Sequence, residues 1–268
     1  MKKIFLAAML LVTMLLTGCG GGDTPKDSGA AKTTDGKKIV IGLDDEYPPM
    51  GFKNEKNEIV GFDVDLAKEA AKRLGREVEF KPIDWNSKEA ELKSGRIDVL
   101  WNGLDITEER KKNMLFSEPY MTNKQIIFVR KGEDPGIKAE TDLSGKTVGT
   151  QAGSTAEDYI TGKADLKDTF KEFKTYGDYI SAFMDLENGR LDAIVCDEIV
   201  GRYYMSKHPD KIDALDVAVG PTTDFGIAFA KENTALRNEV QKAFDEIIAD
   251  GTAARISAEW FGKDLLKH

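Results

Sequence analysis

The amino-acid sequence predicts an α/β protein with two lobes, on the evidence of two patterns that lie after residue 37. The segment 38–80 alternates strand, helix and strand, which is typical of a βαβ unit in a parallel sheet. The stretches "LKSGRIDVLWNGLD" (92–105) and "LENGRLDAIVCDEI" (186–199) echo each other, since each reads helix end, Gly-Arg turn, aspartate, apolar strand and polar cluster. Ligands bind beyond the carboxyl ends of strands in open α/β sheets. The echo therefore predicts two lobes that each deliver a polar loop to a ligand site.

The first predicted unit begins with "KIVIGL", which has a β pattern, and continues with "GFDVDLAKEAAKRLG", which has helical spacing before Gly75 as a stop signal. The apolar positions of this helix are Leu66, Ala67, Ala70, Ala71 and Leu74. The run "EVEFKPI" then returns to a β pattern. This order favours a parallel sheet.

The later elements follow from similar signals. The stretch "TVGTQAGSTAEDYI" (147–160) predicts a strand, a turn and a helix capped by Ser154 or Thr155. The N–H groups at the start of that helix also attract anions. Farther on, "DFGIAFA" (224–230) predicts one apolar strand, and a last short helix ends at "EWFG". The helix between them presents one apolar face, made of Leu236, Val240, Ala243, Phe244, Ile247 and Ile248.

The N-terminal residues predict export. Lys2 and Lys3 precede an apolar run that is too short for a comfortable membrane span, so residues 1–18 are interpreted as a signal peptide. The run ends in "LTGC", which resembles the bacterial lipobox and predicts lipid on Cys19. The alternative is an ordinary signal peptide with a chance cysteine. Residues 19–37 are rich in Gly, Ser, Thr, Asp and Lys, and we expect the lipidated cysteine to be followed by a flexible tether.

Composition excludes several classes of function. The formal net charge of −9 disfavours nucleic-acid binding, because phosphate contacts need clusters of Lys and Arg. Once Cys19 carries lipid, Cys196 is the only thiol left, so no intramolecular disulfide is expected. The two histidines, His208 and His268, have no paired metal-ligand spacing. We therefore expect no metal, no cofactor and no Ser-His-Asp triad.

Four motifs together resemble the polar-amino-acid solute-binding proteins of ABC importers. They are "GFDVDLAKEAAKRLG", "DITEERKKNMLFSEPY", the "CDE" that follows "DAIV", and the closing "EWFG". The resemblance covers residues 38–262 and implies a two-lobed periplasmic-binding-protein-like fold of type II, with the ligand cleft between the lobes. Lobe 1 would comprise 38–119 and 226–268, and lobe 2 would comprise 125–220. Crossings at 120–124 and 221–225 would form the hinge.

The same resemblance implies a set of ligand contacts. They are Asp44, Tyr47, Trp85, Asn102, Gly103, Asp105, Arg110, Gln151, Ser154, Thr155 and Asp197. Tyr47 and Trp85 would clamp the ligand side chain, because aromatic faces suit an aliphatic chain or a cation. Arg110 would grip the α-carboxylate with its planar guanidinium. The Gly103 carbonyl and Asp197 would receive the α-ammonium.

The remaining contacts carry less specific roles. Gln151, Ser154 and Thr155 would meet the carboxylate or the side chain from the second lobe. Asp44 falls where relatives discriminate side chains, and a carboxylate there suits an amide or a cation.

Asp105 departs from the resemblance, which implies a serine or threonine at this position. Three interpretations follow. Asp105 caps a helix that begins near Ile106, with Glu108 completing a capping box. Alternatively, Asp105 faces the ligand and weakens the binding of its carboxylate, because two carboxylates that share a site repel. In the third interpretation Asp105 pairs with Arg110, cancels its charge and turns the pocket toward an amine.

The function that the resemblance implies is capture of a small polar amino acid and its delivery to an ABC permease. The protein would be a monomer, anchored by lipid to the outer face of the cell membrane. One alternative ligand is an amine or other organic cation without a carboxylate. An enzyme of dehydratase type on the same fold is a further alternative, with Asp105 or Glu46 as the acid, although no second catalytic group is evident.

Overall fold

The structure is a computed structural model that describes residues 38–133 and 136–267. The predicted signal peptide, Cys19 and tether lie outside the described residues. No helix within the two described ranges combines the length and the apolar character that crossing a bilayer requires.

The described chain alternates strands and helices, as the sequence predicts. The strands are β1 (Lys38–Leu43), β2 (Glu46–Tyr47), β3 (Gly51–Lys53), β4 (Ile59–Val60), β5 (Glu77–Pro82), β6 (Val99–Leu100), β7 (Met114–Phe116), β8 (Met121–Asn123), β9 (Gln125–Arg130), β10 (Thr147–Gln151), β11 (Glu172–Tyr176), β12 (Ala193–Asp197), β13 (Ile212–Ala218), β14 (Thr223–Phe225) and β15 (Ala228–Ala230). The helices are α1 (Phe62–Arg73), α2 (Lys88–Lys93), α3 (Glu108–Asn113), α4 (Thr155–Gly162), α5 (Ala164–Lys167), α6 (Tyr179–Glu187), α7 (Glu198–Lys207), α8 (Thr234–Ala249) and α9 (Thr252–Phe261). Short 3-10 turns lie at Trp85–Ser87 and Glu140–Leu143.

Two five-stranded sheets of matching design organise these elements. One has the order β5-β1-β6-β15-β7 and the other β11-β10-β12-β9-β13. In each sheet the first three strands are parallel and the fourth is antiparallel to the third. We name the first sheet with its helices the first lobe and the second sheet with its helices the second lobe.

The strands β8 and β14 carry the chain from the first sheet to the second and back. They pair with each other in an antiparallel two-stranded sheet. The prediction of one strand over 224–230 is wrong, because β14 ends at Phe225 and β15 begins at Ala228. The chain changes sheets between these strands, at Gly226, where an added Cβ would lie 2.6 Å from Ile106. A glycine is needed there because the two chain segments approach so closely.

The helices confirm the predicted apolar faces. In α1, the positions Leu66, Ala67, Ala70 and Ala71 are buried. In α8, five of the six predicted positions are buried and Ile248 packs partly against the same core. These helices pack on each other and on α9, whose end at Phe261 agrees with the predicted final helix. Hydrophobic burial of these faces holds the first lobe together.

Candidate functional site

The predicted ligand contacts gather at the facing edges of the two lobes. Asp44, Tyr47, Trp85, Asn102, Gly103, Asp105, Arg110, Gln151, Ser154 and Asp197 are buried, and Thr155 is half-buried. Several follow parallel strands directly, as the carboxyl-end rule requires: Asp44 follows β1, Asn102 lies just after β6, and Asp197 ends β12. The structure therefore brings together residues that are far apart in the sequence.

Two aromatic rings of the first lobe lie nearly parallel. The centroids of Tyr47 and Trp85 are 6.4 Å apart and their planes differ by 13°. Van der Waals contact on both faces of a thin group takes about 7 Å, from two contacts of 3.5–4.0 Å. The observed 6.4 Å is shorter than this, so the two rings would have to move apart to hold an aliphatic chain or a planar cation between them. Tyr179 of the second lobe lies next to the pair, with its centroid 6.1 Å from that of Tyr47.

The Arg110 side chain spans from the first lobe to the second. Its Nη1 donates to the backbone carbonyl of Asp105 and to the hydroxyl of Thr155, each at 3.1 Å. Its Nη2 donates to the carbonyl of Gly153 at 3.1 Å and reaches the exposed Asp158 carboxylate at 3.4 Å. The guanidinium is thus a buried cation with acceptors on both lobes.

Asp105 does not cap a helix, so that interpretation is wrong. Helix α3 begins at Glu108, and its N-cap is Thr107, whose hydroxyl accepts from the Arg110 N–H at 3.2 Å. Asp105 instead forms a β-bridge with Phe225, and the Ile106 N–H donates to a carbonyl of β14. Pairing with a distant strand has overridden the local capping propensity.

The interpretation that Asp105 cancels the charge of Arg110 is also wrong. The Arg110 side chain contacts Asp105 through the backbone carbonyl of that residue and not through its carboxylate. The Asp105 carboxylate accepts from the Thr223 hydroxyl at 2.6 Å and from the Asn123 amide at 3.0 Å. Both donors belong to the crossing strands β8 and β14, so this carboxylate ties the cleft to the crossings between the lobes.

Asp197 shares two amide donors with Asp105, because the Gln125 amide also donates to the Asp105 carboxylate at 3.5 Å. The Asn123 amide donates to it, and the Gln125 amide donates to it at 2.6 Å. Burial, and next the nearby Asp105 charge, raise the pKa of the Asp197 carboxyl. The two carboxylates are therefore bridged by neutral donors, an arrangement that favours a cation from outside the network. Asn123, Gln125 and Thr223 were not predicted, because strand-forming polar residues carry no local signal for such a role.

Asp44 makes a second contact between the lobes. Its carboxylate accepts from the Gln151 amide at 2.6 Å, and its N–H donates to the Asn102 side chain at 2.9 Å. Burial raises the pKa of Asp44 to about 7. Asn102 thus positions Asp44, and Gln151 meets it from the opposite lobe.

The Gly103 backbone is held by an acid that the sequence did not single out. The buried Asp63 carboxylate accepts from the Gly103 N–H at 2.6 Å and from the Tyr120 hydroxyl at 2.9 Å. Gly103 has φ +56°, and an added Cβ would lie 2.9 Å from the Tyr47 ring. Burial raises the pKa of Asp63 to about 7. Asp63 resembles an ordinary acid in the first turn of a helix, so no local signal marked its role.

The remaining predicted contacts lie at the start of α4. Ser154 is the N-cap of this helix and accepts from the Glu157 N–H at 3.1 Å, which confirms the predicted cap. Thr155 accepts from Arg110. Within 38–133 and 136–267, no group of three or more His, Cys, Asp or Glu side chains is placed to hold a metal ion.

Known proteins are similar to this chain in sequence and in architecture. The sequence profile of the family described as "Bacterial extracellular solute-binding proteins, family 3" matches residues 39–263. The L-cystine-binding protein TcyJ of Escherichia coli K12 is 35% identical over 229 residues, which cover 85% of this chain and 84% of that protein. The ABC transporter arginine-binding protein 1 of the same strain is 36% identical over 230 residues, which cover 84% and 91%.

A solved structure gives the same result in three dimensions. An ABC uptake transporter substrate-binding protein from Streptococcus pneumoniae with bound histidine aligns with a TM-score of 0.81 and 35% identity. The alignment covers 87% of this chain and 95% of that one. The predicted fold is confirmed as the two-lobed periplasmic-binding-protein fold of type II. The chain belongs to the bacterial extracellular solute-binding proteins of family 3.

Proposed function

We propose that the protein binds a small polar amino acid outside the cytoplasm and delivers it to the permease of an ABC importer. Members of its family are solute-binding transport proteins, and relatives bind cystine, arginine and histidine. The observation that carries the proposal is a buried set of opposite charges at the facing edges of the two lobes. Arg110 lies there with Asp44, Asp105 and Asp197.

The chemistry of this set fits a zwitterion. Arg110 offers a planar guanidinium that pairs bidentately with a carboxylate, in exchange for its present carbonyl and hydroxyl acceptors. Asp197 and the Gly103 carbonyl offer acceptors to an α-ammonium. The Tyr47–Trp85 pair would hold the ligand side chain, and the Asp44 carboxylate would accept from a cationic or amide group on it. A ligand that contacts both lobes favours their closed arrangement.

The geometry favours an amino acid over an amine. The amine alternative depended on neutralisation of Arg110 by Asp105, and the Asp105 carboxylate is bonded elsewhere. An amine would leave the guanidinium with only its present protein acceptors, whereas an amino acid adds a carboxylate that can pair with it bidentately.

A thermal-shift panel tests the proposal. The ligand-free protein is scanned with the twenty amino acids, with cystine, and with the matching decarboxylated amines. A ligand that binds only the native state raises stability by about 2.7 kcal/mol at a hundred times its Kd. We expect an amino acid to raise the unfolding temperature and its amine to leave it unchanged. A shift with amines alone would show that the pocket does not recognise a ligand carboxylate.

The lipid anchor is a separate part of the proposal and is supported by the "LTGC" motif. Cys19→Ala should abolish metabolic labelling with a fatty acid and release the protein into the medium or leave it uncleaved. Labelling that persists in the variant would contradict lipidation at Cys19.

A further inference from the structure

A buried lysine outside the predicted contacts joins the two lobes. Lys88, at the start of α2, is 4% exposed, and within the described ranges it and Arg110 are the two buried basic residues. Lysine is almost never fully buried unless its ammonium is paired. The Lys88 ammonium donates to the carbonyl of Gly153 at 2.7 Å and to the carbonyl of Trp85 at 3.3 Å. The shorter of these two hydrogen bonds crosses from the first lobe to the second.

The charges around Lys88 do not include a directly bonded carboxylate. Burial, and next the positive charge of Arg110, lower the pKa of Lys88 to about 8, while Asp158 and Glu157 of the second lobe and Glu89 of α2 oppose this shift. The acids on its own helix are engaged elsewhere, Glu89 with Asn113 and Glu91 with basic side chains of the first lobe. The ammonium is therefore held mainly by the second-lobe carbonyl.

Gly153 is shaped to receive this contact. Its carbonyl also accepts from Arg110 at 3.1 Å, and its N–H donates to Glu157 at 2.6 Å within the second lobe. It has φ +72°, and an added Cβ would lie 2.9 Å from the Asn86 Cα and 3.1 Å from the Lys88 ammonium. Two cations of the first lobe thus converge on one carbonyl, and the first-lobe backbone lies directly against a residue without a side chain.

Lys88 also contacts the aromatic pair. Its ammonium lies 5.1 Å from the centroid of the Trp85 ring, in cation–π geometry. One side chain therefore contacts Trp85, which is a candidate clamp residue, and the carbonyl that Arg110 also reaches.

We propose that Lys88 is a positioning residue for lobe closure, which stabilises the closed lobes through the Gly153 carbonyl and so slows ligand release without touching the ligand. The proposal rests on the proposed function only where binding is the readout. A 2.7 Å hydrogen bond between the lobes breaks when they separate as rigid bodies, so its free energy favours the closed arrangement alone.

The test compares the full chain with Lys88→Met, which keeps most of the apolar stem and removes the donor. The amino acid identified by the thermal-shift panel is the probe, and stopped-flow fluorescence gives its association and dissociation rates. We expect dissociation to be faster by about tenfold or more, which corresponds to a hydrogen bond to a charged group. Unchanged dissociation with measurable binding would overturn the proposal.

A pair of glycine variants tests the contact between the lobes while keeping the charge of Lys88. The pair also replaces Lys88→Met if that variant does not fold. Gly153→Ala and Gly145→Ala both place alanine at a positive φ, of +72° and +71°, but only at position 153 does the new Cβ meet the other lobe. We expect Gly153→Ala to weaken binding well beyond Gly145→Ala, because both carry the cost of a positive φ and only the first also meets the other lobe. Equal binding by the two variants would contradict the proposal.

If no amino acid binds the unmodified chain, the proposed function fails and the role of Lys88 is decided by hydrogen exchange. In the ligand-free chain, Lys88→Met or Gly153→Ala should speed amide exchange in 84–92 and 150–160 and leave 186–192 unchanged. Exchange equal to that of the unmodified chain in all three segments would overturn the proposal.

Discussion

The two echoed segments, 92–105 and 186–199, are built on the same framework and lead to opposite charges in the cleft, the cation Arg110 beyond the first segment and the anion Asp197 within the second. The fourth residue of each is a glycine in the left-handed region, Gly95 with φ +70° and Gly189 with φ +73°. Neither glycine has a neighbour within 4 Å of an added Cβ, so backbone conformation rather than space calls for glycine there. The turn that starts both strands is therefore the same.

Each turn then leads into an aspartate that fastens the new strand to its neighbour. The Asp98 carboxylate accepts from the Val40 N–H at 2.8 Å, and the Asp98 N–H donates to the Val40 carbonyl. Asp192 makes the same two contacts with Thr147, the first at 2.7 Å. The likeness in sequence thus reflects one hydrogen-bonded device used in both lobes.

The segments differ only after this device. In the first lobe β6 ends at Leu100, and a loop leads through Asp105 to α3, which carries the cation Arg110. In the second lobe β12 continues to the anion Asp197, and α7 follows without a loop. The framework fixes where the polar groups lie, and the residues beyond it decide their charge. A zwitterion, with one carboxylate and one ammonium, matches a site that offers Arg110 from one lobe and Asp197 from the other.

The largest expected effect comes from removing Arg110, the cation of α3 that follows the first segment. Arg110→Ala should weaken amino-acid binding by roughly 2–5 kcal/mol, since it removes one partner of a buried charge pair. Isothermal titration calorimetry measures the loss. Arg190→Ala is the matched control in the second segment, because its side chain is 65% exposed and pairs with Asp185 near the surface. Equal affinity in the Arg110 variant and the control would break the assignment of the carboxylate to the first lobe.

A pH dependence should come from the anion at the end of the second segment. Because its burial and Asp105 raise the pKa of Asp197, part of this carboxyl is protonated in the ligand-free protein near neutral pH. A ligand ammonium favours the ionised form, so binding should release a proton and affinity should rise as pH increases through the raised pKa. Calorimetry in buffers of different ionisation enthalpy detects the proton.

The stability of the ligand-free protein should change in the opposite direction. An acid whose folded-state pKa exceeds its unfolded value stabilises the fold at low pH, and this contribution is lost as pH rises through the folded-state pKa. Asp44, Asp63 and Asp197 all act in this sense.

The pH dependence of ligand affinity is tested by substitution. Asp197→Asn should flatten this dependence, whereas the control Asp192→Asn should keep it. A pH-independent affinity in the unmodified protein would remove Asp197 from the ammonium site.

Much of the framework could be predicted from the sequence because its signals are local. The apolar spacing of α1, the cap at Ser154 and the echoed turns each depend on residues within a few positions of one another. The strand split at Gly226 could not be predicted, because an apolar run does not show that its two halves pair with different sheets.

The polar groups that position the candidate site were harder to predict, because their partners are distant in sequence. Asp63 holds Gly103 across 40 positions, and Lys88 reaches Gly153 across 65. Asp105 was misinterpreted for the same reason, since its local context favours a cap and its carboxylate instead bonds to Thr223 across 118 positions. A single sequence without its fold carries no signal for such pairs.

The smallest expected effect concerns the shared device itself. Asp98 and Asp192 are both half-buried, and each accepts one backbone N–H with a charged oxygen. Asp98→Asn and Asp192→Asn should each lower the free energy of unfolding by about 1 kcal/mol, because a neutral acceptor makes a weaker hydrogen bond than a carboxylate. Urea unfolding of the ligand-free protein measures both, and the double variant should show the sum, since the two sites share no partner. A loss confined to one variant would show that the two segments share a sequence pattern but not an energetic role.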